Sequence, residues 1–203
     1  MPHAEVLDTI DICLAHRHHT AEITEIAKVT EISPVAEATE LIYHLWYIEG
    51  RIEKYHSGEI IGTLVGGIIT KRKAFLVNVG DSRAYYLTKS EIKQISKDHS
   101  YVEELVAMGA ITREEARTHP KKNIITRALG VDSSVKADYF EQPLHMGDGI
   151  LLCSDGLSNI VTDAEMLDAF RRYNTPEKVC EYLLNLALDR GARDNVSVVL
   201  VKI

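Results

Sequence analysis

Residues 149–157 read Gly149-Ile150-Leu151-Leu152-Cys153-Ser154-Asp155-Gly156-Leu157, an apolar run that stops abruptly at a serine, an aspartate and a glycine. Such a run predicts a buried strand, and the glycine after Asp155 lets the backbone turn away and leaves the carboxylate held at a cleft floor. Working outward, helical spacing covers 163–172 and 176–189, followed by Arg193-Asp194-Asn195 and a last strand, Val-Ser-Val-Val-Leu-Val-Lys-Ile, over 196–203. Asp194 therefore stands before a strand as Asp155 stands after one. Upstream lie short β-rich runs at 62–70, 73–80 and 82–88, the last two joined at Gly80-Asp81-Ser82 in what reads as a hairpin turn. A charged helical insert spans 98–120, and a strand-like stretch follows at 135–142. Strands placed before and after paired helices predict an α+β sandwich rather than a doubly wound sheet.

Composition sets the outer limits. The 203 residues are 45% apolar and 26% charged, enough for one proper core and unlike collagen, a disordered chain or a disulfide scaffold. Cys13, Cys153 and Cys180 are odd in number and outside any CxxC pattern, which suits a reducing compartment and a cytoplasmic protein. The start, with carboxylates inside its apolar stretch, reads as neither signal peptide nor membrane anchor.

Charge and glycine divide the chain near residues 56–62, giving units of 1–57 and 60–203. Residues 1–57 hold four Lys and Arg against ten Asp and Glu, and the first glycine is Gly50. Val6, Ile10, Cys13 and Leu14 fit a helix over 4–16, Thr20 caps a second, and Ser33-Pro34 starts a third that carries Leu41, Ile42, Leu45 and Ile48. Residues 51–60 resemble a small hairpin turning at Ser57-Gly58. Helices and hairpin in that order resemble a winged helix-turn-helix unit, but the third helix lacks any cation before Arg51, so nucleic acid is not the expected partner. Cys13 and His16 would share a helix face, with His18 and His19 beyond; no further soft ligands stand near enough in sequence to complete a metal site.

Six segments carry a more specific resemblance: Gly62-Thr63-Leu64-Val65, Asn78 to Arg83, Lys97-Asp98-His99-Ser100, His119-Pro120 with 123–130, Cys153 to Leu157, and Arg193 to Ser197. In this order and spacing they resemble successive motifs of the bacterial metal-dependent serine/threonine phosphatases, the protein phosphatase 2C family. The resemblance implies, for 60–203, a partial phosphatase 2C-like β-sandwich flanked by helices, with 1–57 as a separate helical unit. It implies Asp155 and Asp194 as ligands of Mn or Mg, with Gly156 and Asn195 beside them on the phosphate side. It assigns no catalytic side chain with certainty and makes the insert after Asp98 a flap beside the site. Asp81-Ser82-Arg83 reads as a structural turn.

The family's site also uses a leading arginine and an Asp-Gly pair whose carboxylate bridges two cations, and residues 1–49 contain no glycine. A complete dinuclear site is therefore not expected, and any Mn or Mg is expected to bind weakly. Three readings follow: a weak or inactive phosphatase-derived regulatory protein, an active Mn- or Mg-dependent phosphatase acting on phosphoserine and phosphothreonine in proteins, and a rearranged chain without a defined role. Sheet edges left open by the missing segment are expected to be covered by a protein partner or by self-association in a homodimer.

Overall fold

A computed structural model describes residues 11–17, 62–70, 72–131 and 134–203. In chain order these form β1 (Asp11–Arg17), β2 (Leu64–Ile69), β3 (Lys73–Val79), β4 (Arg83–Leu87), β5 (Ile92–Gln94), α1 (Tyr101–Ala107) and α2 (Arg113–Thr118). There follow β6 (Asp138–Pro143), β7 (Gly149–Cys153), α3 (Asp155–Ser158), α4 (Asp163–Arg172), α5 (Pro176–Asp189) and β8 (Val196–Lys202). The strands make a five-stranded sheet in the order β1-β8-β7-β4-β5 and a three-stranded sheet in the order β2-β3-β6, with every pairing antiparallel.

Strand alternation builds two cores, one on each face of the larger sheet. Tyr85, Leu87, Leu151, Cys153, Val196, Val198 and Leu200 point to a layer of helices and meet Met166, Phe170, Val179 and Leu183. Ala84, Tyr86, Ile150, Leu152, Val199 and Val201 point the other way and meet Ile69, Leu76 and Leu144 between the sheets. Strand β7 is buried along its whole length because both of its faces are covered. Each fully buried leucine in such a core contributes about 2 kcal/mol. The helices start where local chemistry places them: Thr162 and Glu165 form a capping box for α4, and Pro176 opens α5. The α+β sandwich read from the sequence is the architecture found.

Two local expectations are overturned. Residues 11–17 are a strand, paired with β8 from Asp11 opposite Lys202 to Arg17 opposite Val196, so the helix expected over 4–16 is not formed there. The segment Asp-Ile-Cys-Leu-Ala-His-Arg satisfies either period over so short a length, and the apolar strand β8 supplies the partner that decides it. The helical spacing behind a shared Cys13 and His16 face goes with it. One sheet edge expected to lie open is thus covered by the protein's own leading residues. The second and third leading helices and the hairpin at 51–60 lie outside the described residues.

The other correction concerns Gly80-Asp81-Ser82. It is not a hairpin turn, because β3 pairs with β2 and β6 while β4 pairs with β5 and β7. The three residues instead carry the chain from one sheet to the other. Gly80 has φ +106°, and a Cβ there would stand 2.3 Å from Thr63 Cγ2, so the corner requires glycine for conformation and for space.

Candidate active site

The corner at Gly80 is locked from both sides. The Gly80 N–H donates to His99 Nδ1 at 3.0 Å, and the His99 N–H donates to the Gly80 carbonyl at 2.9 Å. With Nδ1 accepting, the neutral ring carries its proton on Nε2, which donates to Asp138 Oδ2 at 3.1 Å. Arg127 holds the other Asp138 oxygen at 2.9 Å. Buried Asn78 donates to the carbonyls of Gly80 and Lys97, both at 3.2 Å. Asp81, the next residue, is thereby delivered to a fixed position at the rim of the sandwich.

Asp155 and Asp194 arrive from the neighbouring strands. Strand β7 ends at Cys153 and β8 begins at Val196, and their antiparallel pairing brings both loops to one edge of the sheet. Ser154 ties the two together: its hydroxyl donates to the Asn195 carbonyl at 3.0 Å and accepts from the Ser197 N–H at 3.0 Å. Gly156 serves that same junction. A Cβ on it would lie 2.2 Å from the Asn195 carbonyl oxygen, so the glycine permits a close approach of two backbones inside the first turn of α3, where the sequence suggested a turn away from the strand. Asp155 accepts from Asn159 Nδ2 at 3.1 Å, and Asp194 accepts from the Asn195 N–H at 2.7 Å.

Asp155 opens onto a cleft of about 230 Å³, lined by Asp81, Asp155, Arg83 and Asp98 on its floor and by residues of α1 and α2 on its wall; Asp194 stands beside Asp155 but does not line it. Burial, then the charge of Asp194, raises the Asp155 carboxyl above its ordinary range. Burial, then the charge of Asp155, lifts Asp81 to about 6. Asp81 is therefore part of the acidic floor, which the reading of 81–83 as a turn did not anticipate. Beneath it, Arg83 grips Asp98 with Nε at 2.9 and 3.1 Å and Nη2 at 2.7 Å, and also donates to Tyr85 Oη at 3.2 Å. Gln94 adds a bond to Asp98 at 2.8 Å. No sequence pattern pairs residues 83 and 98; the only signal was a lone Asp beside a lone Arg in two of the quoted motifs.

Known proteins show what this arrangement belongs to. A family model described as Protein phosphatase 2C matches residues 15–194. This chain is a member of the protein phosphatase 2C family. The serine/threonine phosphatase stp of Listeria welshimeri is 41% identical over 140 residues, which are 69% of this chain and 56% of that protein. The chain thus spans little more than half the length of that relative. The crystal structure of Staphylococcus aureus serine/threonine phosphatase Stp1 superposes with a TM-score of 0.83 at 27% identity, over 100% of this chain and 98% of that one. The catalytic domain of the phosphatase PstP, solved with two manganese ions, superposes with a TM-score of 0.70 at 27% identity, over 96% of this chain and 99% of that one.

Phosphatase 2C relatives raise the question of a cation, and the chemistry of the donors answers in part. Asp155 and Asp194 are hard oxygen donors of the kind Mn and Mg prefer. Among the described residues neither makes an ion pair, although each is a carboxylate facing a like charge. That unbalanced charge fits a divalent cation. Their number is the limit: among the described residues no group of three or more His, Cys, Asp or Glu is arranged to hold one.

Proposed function

We propose that the protein hydrolyses phosphate monoesters on serine and threonine side chains of proteins, with Mn or Mg held by Asp155 and Asp194. The observation that carries this reading is the delivery of two carboxylates from adjacent strand ends to neighbouring positions, with Asp155 on the floor of the cleft and Asp194 beside it. When bound, the cation supplies charge neutralisation at the phosphoryl oxygens and lowers the pKa of an attacking water. The chain's own part is to keep its ligands in place. The Ser154 staple and the close packing at Gly156 fix the spacing of the two loops. Arg83, held by Asp98 and Tyr85, keeps positive charge on the floor and so works against the burial and like charge that raise the Asp155 carboxyl. Relatives that carry the name serine/threonine phosphatase support this activity over an inert role.

A second reading keeps the same fold with weak catalysis. It is favoured by the shortage of ligands among the described residues and by a leading segment without the family's bridging Asp-Gly pair. Losing one preorganised donor commonly lowers turnover about 100-fold. Titration of Mn into the wild type and into Asp155→Asn, followed by hydrolysis of a small aryl phosphate, separates the two. Mn-dependent turnover that falls at least about 100-fold in Asp155→Asn establishes the first reading. Equal and negligible rates establish the second.

A further inference from the structure

The wall of the cleft opposite the acids carries cations of two kinds. Arg113 is already engaged, with Nη1 and Nη2 donating to the Glu103 carboxylate at 3.2 and 3.4 Å. Arg117, one turn later on the same helix, and Lys122 just beyond it line the same cleft, and among the described residues neither side chain makes an ion pair or hydrogen bond. Glu114 also lines the wall, yet it forms no ion pair with Arg117. Lys121, by contrast, is turned onto the Tyr101 ring at 5.2 Å. Two cations without an ion pair among the described residues, Arg117 and Lys122, therefore line a cleft whose floor is acidic and whose lining also includes the unpaired carboxylates Glu114 and Asp163.

That polarity is informative because the floor alone would repel an acidic substrate. A phosphorylated side chain directed at a cation on the floor leaves its flanking residues against the wall, where Arg117 and Lys122 find no partner in the protein itself. We propose that Arg117 and Lys122 bind carboxylate side chains flanking the phosphorylated residue, making acidic phosphopeptides the substrate class. This rests on the phosphoprotein reading above and sharpens it. Arg117 contributes a planar fork suited to a carboxylate, while half-buried Lys122 contributes a point charge. Helix α2 buries no residue, so it can shift to meet a peptide without disturbing the core.

The test measures binding and does not depend on turnover. A fluorescent peptide bearing a non-hydrolysable phosphonate analogue of phosphoserine, flanked by either Asp and Glu or Ala, is titrated with the full chain in Mn buffer. The acid-flanked peptide is expected to bind roughly tenfold more tightly, with the advantage shrinking as salt rises. In Arg117→Ala/Lys122→Ala the preference disappears, whereas Lys178→Ala, which removes an exposed charge on α5, retains it. Arg117→Glu, which also reports if the double variant does not fold, is expected to reverse the preference toward a Lys-flanked peptide. Equal binding of acid- and Ala-flanked peptides by the wild type, binding of neither, or a preference that survives both substitutions overturns the proposal. A chain with no aryl phosphatase activity that still shows the preference loses the catalytic reading and keeps this one; an active chain without the preference does the reverse.

Discussion

The floor and the wall of the cleft are built on different principles. The floor hangs from the ends of strands packed on both faces: β7 is buried throughout, and Leu157 of α3 is fully covered two residues after Asp155. The wall consists of α1 and α2, two short helices without a single buried residue. They are attached by hydrogen bonds from Tyr101 N to Ile124 O at 2.9 Å and from Thr126 N to His99 O at 2.8 Å. Chemistry that needs fixed spacing is thus placed on the core, and recognition that must adapt is placed where opening costs little. Substitutions on the floor should change the stability of the whole molecule; those on the wall should change only local opening.

The sharpest break of that contrast is Asp98→Ala. Asp98 is buried and satisfies three N–H groups of Arg83 and Gln94, so its removal leaves a charged guanidinium unpaired at the rim of the core. The expected loss is about 3–5 kcal/mol in global unfolding by denaturant, with Asp98→Asn losing less because it keeps an acceptor. An unchanged midpoint would mean that the floor does not depend on this pair.

Next in size is Gly156→Ala, expected to cost about 2–3 kcal/mol by forcing the α3 turn off the Asn195 carbonyl. Because the clash is with backbone, it spreads the Asp155 and Asp194 loops, and Mn affinity should fall together with stability. Gly66→Ala is the matched control, since a Cβ there meets nothing within 4 Å. A loss of the same size in both variants would show that glycine flexibility, and not the close approach, is responsible.

These two positions also mark where sequence reading succeeds and where it stops. Strand β7 and helices α4 and α5 were legible to the residue, because an apolar run, a capping box and a Pro after Thr175 are local signals. Strand β1 was not, since seven residues hold less than two helical turns and the decisive partner, with Asp11 opposite Lys202 and Arg17 opposite Val196, lies at the far end of the sequence. The Gly80 corner was misread as a hairpin because positive φ serves a sheet-to-sheet crossing as well as it serves a turn. Asp155 and Asp194 were singled out through family resemblance, and their closeness in space follows from the β7–β8 pairing. The Arg83–Asp98 pair depends on two strands and a loop coming together in three dimensions, which no spacing encodes.

Asp81→Asn acts in the opposite direction. Burial and the Asp155 charge lift this carboxyl to about 6, so the folded protein holds the proton more tightly than the unfolded chain. Asp81 thus favours the folded state below about pH 4 and loses that contribution as pH rises through about 6. With chelator present at neutral pH, the asparagine variant should gain about 1 kcal/mol after discounting for partial solvent exposure, or 2–4 °C at the melting midpoint. Near pH 4 the gain should vanish. A gain of equal size at both pH values would assign the effect to packing instead of charge.

The smallest effect is expected on the wall, at Thr112→Ala. Thr112 Oγ1 accepts from the Glu115 N–H at 3.2 Å, while the Glu115 carboxylate accepts from the Thr112 N–H at 2.7 Å and from its hydroxyl at 2.8 Å. These bonds, led by the one from the Thr112 backbone, hold the Glu115 carboxyl below its usual range. Alanine removes the hydroxyl half of the box and frees the first turn of α2. Amide exchange at Glu115 and Ala116 should quicken roughly fivefold, while the global melting midpoint stays where it was. The same substitution should loosen the position of Arg117 and so weaken the acid-flanked peptide slightly more than the Ala-flanked one. If instead the global midpoint falls along with local protection, α1 and α2 are coupled to the core after all, and the division between a fixed floor and an adaptable wall does not hold.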